Sequence, residues 1–146
     1  MKALSLWQPW ATLIANGAKQ IETRSWSTSY RGPILIHAAK RKVLKELKEL
    51  AEDEDYCVAL GVNEDQALAK LQELPYGAIV AIAVLADCKP VEQLQPSNNL
   101  GGEYWLGNYS SGRYGWILSN VRAITPIPYK GEQGLFDVPD VIARLT

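Results

Sequence analysis

The sequence predicts an α+β fold, a small curved mixed sheet or β-barrel with flanking helices. Three observations carry this. Apolar runs of strand length recur at the start, middle and end of the chain, the helical patterns are few and short, and strands and helices do not alternate regularly. The 146 residues are 47% apolar and 21% charged, which is ordinary for a globular chain and enough to bury a core. No internal repeat or composition break divides them, so one domain spanning 1–146 is expected.

The elements follow in order. "KALSL" (Lys2–Leu6) reads as a short strand. "QPWATLIANG" reads as a helix, with Pro9 suited to its first turn and Gly17 to the position just past its end. Trp10, Leu13 and Ile14 fall at i, i+3 and i+4, the face such a helix buries. "KQIETRSW" alternates as an extended segment, placing Lys19, Ile21 and Thr23 on one side and Gln20, Glu22 and Arg24 on the other. "RGP" (Arg31–Pro33) is turn chemistry, and "ILIHAA" (Ile34–Ala39) is a strand.

"KRKVLKELKELAEDED" predicts one helix through Asp55, with Val43, Leu44, Leu47, Leu50 and Ala51 on its apolar stripe. A second helix is expected over Asn63–Leu74, capped by Asn63. "AIVAIAVLADC" is a continuous apolar strand of the kind found at a sheet centre. The stretch from Lys89 to Gly115 is broken by Pro and Gly and reads as loop, with a short strand over Tyr104–Leu106. "WILSNVRAITPIP" (Trp116–Pro128) is the last long strand, and "YKGEQGLFDVP" is a turn followed by a short closing element.

Several classes of function are disfavoured. The longest apolar run, Ala78–Ala86, is too short to cross a bilayer. "MKALSLWQPW" lacks the small-residue cleavage site of a signal peptide, so a cytoplasmic protein without a membrane partner is expected. Cys57 and Cys88 lie 31 positions apart and His37 is the sole histidine. That inventory builds no zinc spacing, so buried free thiols and no metal or cofactor are expected.

The net charge of −1 hides a segregation. Residues 1–45 carry eight Lys/Arg against Glu22, a net of +7, and residues 46–75 have a net of −7. Such asymmetry focuses an anionic ligand onto one face, unless the acidic stretch neutralises the basic one in space.

The densest chemistry is in "NGAKQIETRSW". Arg24 offers a planar fork for phosphate or a base edge, and Lys19 a point charge. Glu22 between them is a strong acceptor, suited to an exocyclic amine. A desolvated Lys19 instead loses its proton more readily and serves as a base. The same charges also suit a plain ion pair that pins the segment after the helix. Trp7, Trp10 and Trp26 bracket the run, and Trp105, Tyr109, Tyr114 and Trp116 mark the later loop. Aromatics beside Arg and Lys are what base stacking uses, at about 1–3 kcal/mol per base. Trp10 and Trp116 fit core packing, whereas Trp7, Trp26, Tyr109 and Tyr114 are open to either role.

"GNYSSGRYG" (Gly107–Gly115) lacks the Gly-Lys-Ser/Thr ending of a P-loop, which excludes an NTPase and leaves a lid or a surface loop. His37, alone in an apolar strand before Lys40, Arg41 and Lys42, reads as a satisfied structural residue. No Ser–His–Asp set or G-x-S-x-G elbow is present.

At "GAKQIETR" the sequence resembles the ASCH domain, a branch of the PUA-like superfamily. The family mark is G-x-K-x-x-E-x-R after the first helix, matched by Gly17, Lys19, Glu22 and Arg24. "LSLWQPWA", "GPILIHAAK", "GAIVAIAVLADC" and "WILSNVRAITPIPYKGEQGLFDVP" follow the family order along nearly the whole chain. The resemblance implies a PUA-like small barrel whose cleft, lined by the motif, takes RNA or a nucleobase. On that basis Lys19, Glu22 and Arg24 are the expected ligand-binding residues, with Trp7, Trp26 and Tyr114 as stacking partners.

One bacterial branch is similar to amidohydrolases that deacetylate N4-acetylcytidine with a Lys, a Thr and a Glu, and ribonuclease activity is attributed to other relatives. The position of that Thr is Glu22 here. Thr23, one residue along, points to the opposite side in an extended segment. In an enzymatic reading Lys19 and Glu22 are the catalytic residues. A further alternative is a protein-interaction adaptor in transcription or RNA processing, using the acidic Glu46–Asp55 helix.

Overall fold

The computed structural model describes residues 1–94 and 102–146. Six strands form one mixed sheet: β1 (Lys2–Leu6), β2 (Ile21–Arg24), β3 (Gly32–Ala38), β4 (Ala78–Pro90), β5 (Tyr114–Pro128) and β6 (Leu135–Asp137). Their order is β2-β5-β4-β3-β1-β6. Among the described residues only β1 and β3 run parallel, with Ser5 opposite His37, and the remaining pairs are antiparallel.

The sheet curls into a half-barrel because its long central pair does not stay in register. Between Val84↔Ser119 and Ile82↔Arg122, β5 carries one residue more than β4. Asn120 there has φ 49, a left-handed conformation that Asn tolerates better than most residues. Bulges of this kind bend and twist a strand. The curl is nearly closed. Three strands separate β2 from β1 in the sheet, yet Arg24 Nη2 donates to the Ser5 carbonyl at 2.6 Å.

Helix α1 (Trp10–Ala15) plugs the concave side. Ile14 and Ala11 pack with Leu4, Leu6, Ile34, Ile36, Leu85 and Trp116. Its opposite face joins a second cluster through Leu13, which meets Leu47, Leu60 and Leu71 of the helices outside the sheet. Gly17 lies just past the helix end at φ 85, the left-handed C-terminal stop its position in the sequence predicts.

Helix α2 (Leu44–Ala51) is followed by α3 (Glu54–Leu60) and α4 (Glu64–Glu73). This corrects the single helix expected through Asp55. Asp53 is extended, and its side chain accepts from the Asp55 amide to start α3 anew. The apolar stripe is likewise only partly buried. Leu47 and Ala51 are buried, whereas Val43 and Leu44 lie exposed because Val43 precedes the first turn. Asn63 caps α4 reciprocally with Gln66, as expected.

The strand expected over Tyr104–Leu106 is instead a helical turn, α5 (Gly102–Trp105). Aromatic strand propensity there yields to ring packing, as Tyr104 stacks on Tyr109 at 5.4 Å. Residues 95–101 of the loop expected before it lie outside the described residues. A final turn, α6 (Asp140–Ala143), follows β6. Among the described residues no helix is long and apolar enough to cross a membrane.

Candidate functional site

A cleft of about 570 Å³ opens where β1 and β2 approach. β1 and the residue after it supply Ser5 and Trp7, α1 supplies Trp10, and β2 supplies Glu22, Thr23 and Arg24. Tyr56 comes from α3, and Gly107, Asn108 and Arg113 come from the loop before β5.

The turn at Gly17 decides where Lys19 goes. The Lys19 amide returns to the Leu13 carbonyl at 2.9 Å, so Lys19 belongs to the helix stop and not to the strand. The strict alternation that set Lys19 opposite Glu22 therefore fails at its first residue. Lys19 Nζ lies 4.0 Å from Glu22 Oε1. Glu22 Oε2 lies 3.2 Å from Arg24 Nε, so Glu22 stands between both cations as the spacing suggests.

Lys19 is fully buried, and its ammonium has no hydrogen-bond partner among the described residues. Burial lowers its pKa below the usual lysine value, while Glu22 and Glu103 pull it back up. Lys19 is not part of the cleft lining. A Cβ on Gly107 would lie 3.0 Å from Nζ, so the ammonium sits directly behind a backbone that lines the cleft.

Arg24 and Arg113 are each fixed by the backbone. Arg24 is held by the Ser5 carbonyl, and Arg113 Nη2 donates to the Thr23 carbonyl at 2.9 Å and Nε to that of Asn108 at 3.2 Å. Such anchoring leaves rigid guanidinium forks facing the cleft, at little further entropic cost to binding. Trp10 Nε1 donates to the Tyr56 hydroxyl at 3.0 Å, and the two rings meet edge to face. Trp7 is 54% exposed, with the Arg41 guanidinium 4.0 Å from its ring centre.

The other aromatic candidates sit elsewhere. Trp26 packs edge-on against Trp116 at 4.8 Å and accepts the Trp116 indole N–H on its carbonyl. Tyr114 pairs with Arg24 across β2 and β5. Neither lines the cleft. Trp116 is wholly buried, as core packing requires. Trp10, by contrast, is half-buried and reaches the cleft.

Sequence reading missed Tyr56, Asn108 and Glu103. Glu103 accepts from the amides of Gln20 and Ile21 at 2.8 and 2.9 Å, docking α5 onto the charged run. A lone Glu in "GGEYW" carries no signal for that role. His37 is satisfied at both nitrogens, by Ser5 Oγ at 2.9 Å and the Tyr129 carbonyl at 2.6 Å. The carbonyl accepts only, so Nε2 carries the proton and Ser5 donates to Nδ1. Both cysteines are free thiols, Cys57 buried as expected and Cys88 only half-buried.

Comparison with known proteins follows the same outline. The chain is 34% identical over 93 residues to Activating signal cointegrator 1 of Mus musculus and 33% identical to that of Homo sapiens. That match covers 63% of this chain and 15% of the relative, so the chain spans a small part of those proteins. The crystal structure of ASCH from Zymomonas mobilis superposes with a TM-score of 0.60 at 17% identity, covering 99% of this chain and 91% of that one. A point mutant of the same protein gives 0.59 at 17% identity, covering 98% and 91%. At that identity the likeness is one of fold. A family model described as the ASCH domain matches residues 4–128, and the chain belongs to the ASCH domain family.

Proposed function

We propose that this domain binds single-stranded or modified RNA, or a free nucleoside, in the cleft between β1 and β2. The observation that carries the reading is the meeting of Glu22, Arg24 and Arg113 with the rings of Trp7, Trp10 and Tyr56 around one space. Its volume falls within the roughly 300–1,000 Å³ typical of small-ligand sites. Unpaired bases are recognised by such a mixture of stacking surface, charge and hydrogen-bonding edges. Arg24 and Arg113 face anionic or carbonyl groups, Glu22 accepts from an exocyclic amine, and Trp7 offers a ring face. Lys19 adds positive potential from behind Gly107. Membership of a family generally linked to RNA binding supports the same reading.

The test is a double variant, Lys19→Ala with Arg24→Ala, titrated with ribonucleosides and short ribo-oligonucleotides. Binding is abolished while circular dichroism shows an unchanged fold. Retained affinity in a folded double variant contradicts the cleft assignment.

A second reading, hydrolysis of an N4-acylated cytidine, is favoured by the buried Lys19 ammonium, which makes no hydrogen bond among the described residues and lies 4.0 Å from Glu22. It requires the Gly107 backbone to move aside before substrate reaches Lys19. Chromatography of N4-acetylcytidine incubated with concentrated protein decides it, and no cytidine above the blank ends it. The adaptor reading draws on the relatives' name. It places partner contact on the acidic Glu46–Asp55 stretch, now divided between α2 and α3, and charge reversal there followed by pull-down tests it.

A further inference from the structure

A second groove of about 750 Å³ lies beside the cleft, and Ser5 lines both. The Ser5 carbonyl accepts from Arg24, a cleft residue, and its hydroxyl donates to His37, a groove residue. The groove is bounded by Lys40, Tyr76 and Lys130. Lys40 and Lys130 are exposed and enter no ion pair among the described residues. Among the described residues Glu132 is the one acid of the lining.

The run Lys40–Lys42 is distributed along the two cavities. Lys40 lines the groove, Arg41 covers the Trp7 ring at the cleft rim, and Lys42 Nζ lies 5.1 Å from the centre of the Tyr76 ring at the groove rim. His37 contributes shape and not charge, because both its nitrogens are committed and burial lowers its pKa.

The geometry points to a second nucleotide subsite in this groove, with Lys40 and Lys130 holding a phosphodiester of a single-stranded RNA that continues from the cleft across Ser5. This inference rests on the cleft reading and specifies its ligand as a chain, not a free nucleoside. Two unpaired lysines beside an aromatic wall suit a phosphate with its flanking base. A cation is a poor occupant, since one carboxylate opposes two ammonium groups. A nucleoside fills one cavity only, whereas a connected chain spends a single loss of translational freedom on both.

The test compares wild type, Lys40→Gln with Lys130→Gln, and Arg24→Ala. Each is titrated with a fluorescein-labelled tetraribonucleotide by anisotropy and with cytidine by calorimetry. The groove variant, its fold verified by circular dichroism, loses tetranucleotide affinity by about tenfold and leaves cytidine affinity unchanged. Its salt dependence, log K against log salt, becomes shallower by about 0.7 for one lost single-strand phosphate contact. A groove variant that keeps wild-type affinity and salt slope overturns the subsite, and the cleft reading stands if Arg24→Ala has lost both ligands. Equal loss of tetranucleotide and cytidine also overturns it, since a second subsite acts on the chain alone. Failure of wild type to bind either ligand overturns the cleft reading and the groove with it.

Discussion

Lys19 shows how one residue is shaped by a local stop signal. It is fully buried, its ammonium makes no hydrogen bond among the described residues, and the charges of Glu22 and Glu103 act on it. An apolar side chain of similar volume avoids the desolvation cost of the ammonium. Lys19→Met is therefore expected to leave the melting temperature at pH 7 unchanged or higher, while weakening ligand affinity about tenfold or more. The unfolded chain holds this proton up to the ordinary value of 10.5, whereas burial releases it earlier in the folded state. Wild-type stability relative to the variant thus rises as pH climbs toward 10.5, and melts at pH 7 and pH 10 check the narrowing. His37 follows the same logic at lower pH. Burial holds its imidazole below the ordinary 6.5, so the unfolded chain takes up the proton first on acidification. Its contribution is complete above pH 6.5 and declines below it, a dependence that His37→Gln removes in melts between pH 5 and 7.

Among the elements, the curled sheet and the loop before β5 make the cleft together. β1 and β2 approach only because bulges bend β4 and β5, and the loop is tied down by the Glu103 carboxylate on two backbone amides. Glu103→Ala leaves those amides unpaired, at about 1–3 kcal/mol. It frees α5 and the Gly107–Asn108 wall, so ligand affinity falls along with the melting temperature. The start of α3 behaves differently. Asp53 caps it away from the cleft, and Asp53→Ala costs about 1 kcal/mol, a fall of about 2–4 °C in a domain of this size. Affinity measured beside the melt stays at the wild-type value. A drop in binding for Asp53→Ala would show that α3 controls the cleft through Tyr56.

Over the whole molecule, direct ion pairing between the basic and acidic segments is sparse among the described residues. Among the described residues only Arg41–Glu46 pairs the basic segment 1–45 with the acidic segment 46–75, so contact does not neutralise the one with the other. Affinity for an oligonucleotide is expected to fall with salt at a slope of about −0.7 per phosphate engaged, whereas affinity for an uncharged nucleoside stays nearly flat. A flat profile for both speaks against a phosphate-bearing ligand. The fold class, most of the strands, α1 and the α4 cap were legible because each rests on short-range causes: apolar periodicity, Pro and Gly at helix ends, Asn at a cap. The break at Asp53 and the turn at Gly102–Trp105 were not, because an acidic run reads as helix and aromatics read as strand until their neighbours are in place. The charged run "KQIETRSW" was visible as chemistry, and its order along the chain pointed to the family. Tertiary structure alone decided that Arg24 reaches Ser5, that Glu103 pins the motif, and that Trp7 and Tyr56 share a cavity with it while Trp26 and Tyr114 do not. Those contacts join residues up to 83 positions apart, and the curl that creates them is a sum of small bends along two paired strands, which no local pattern of side chains records.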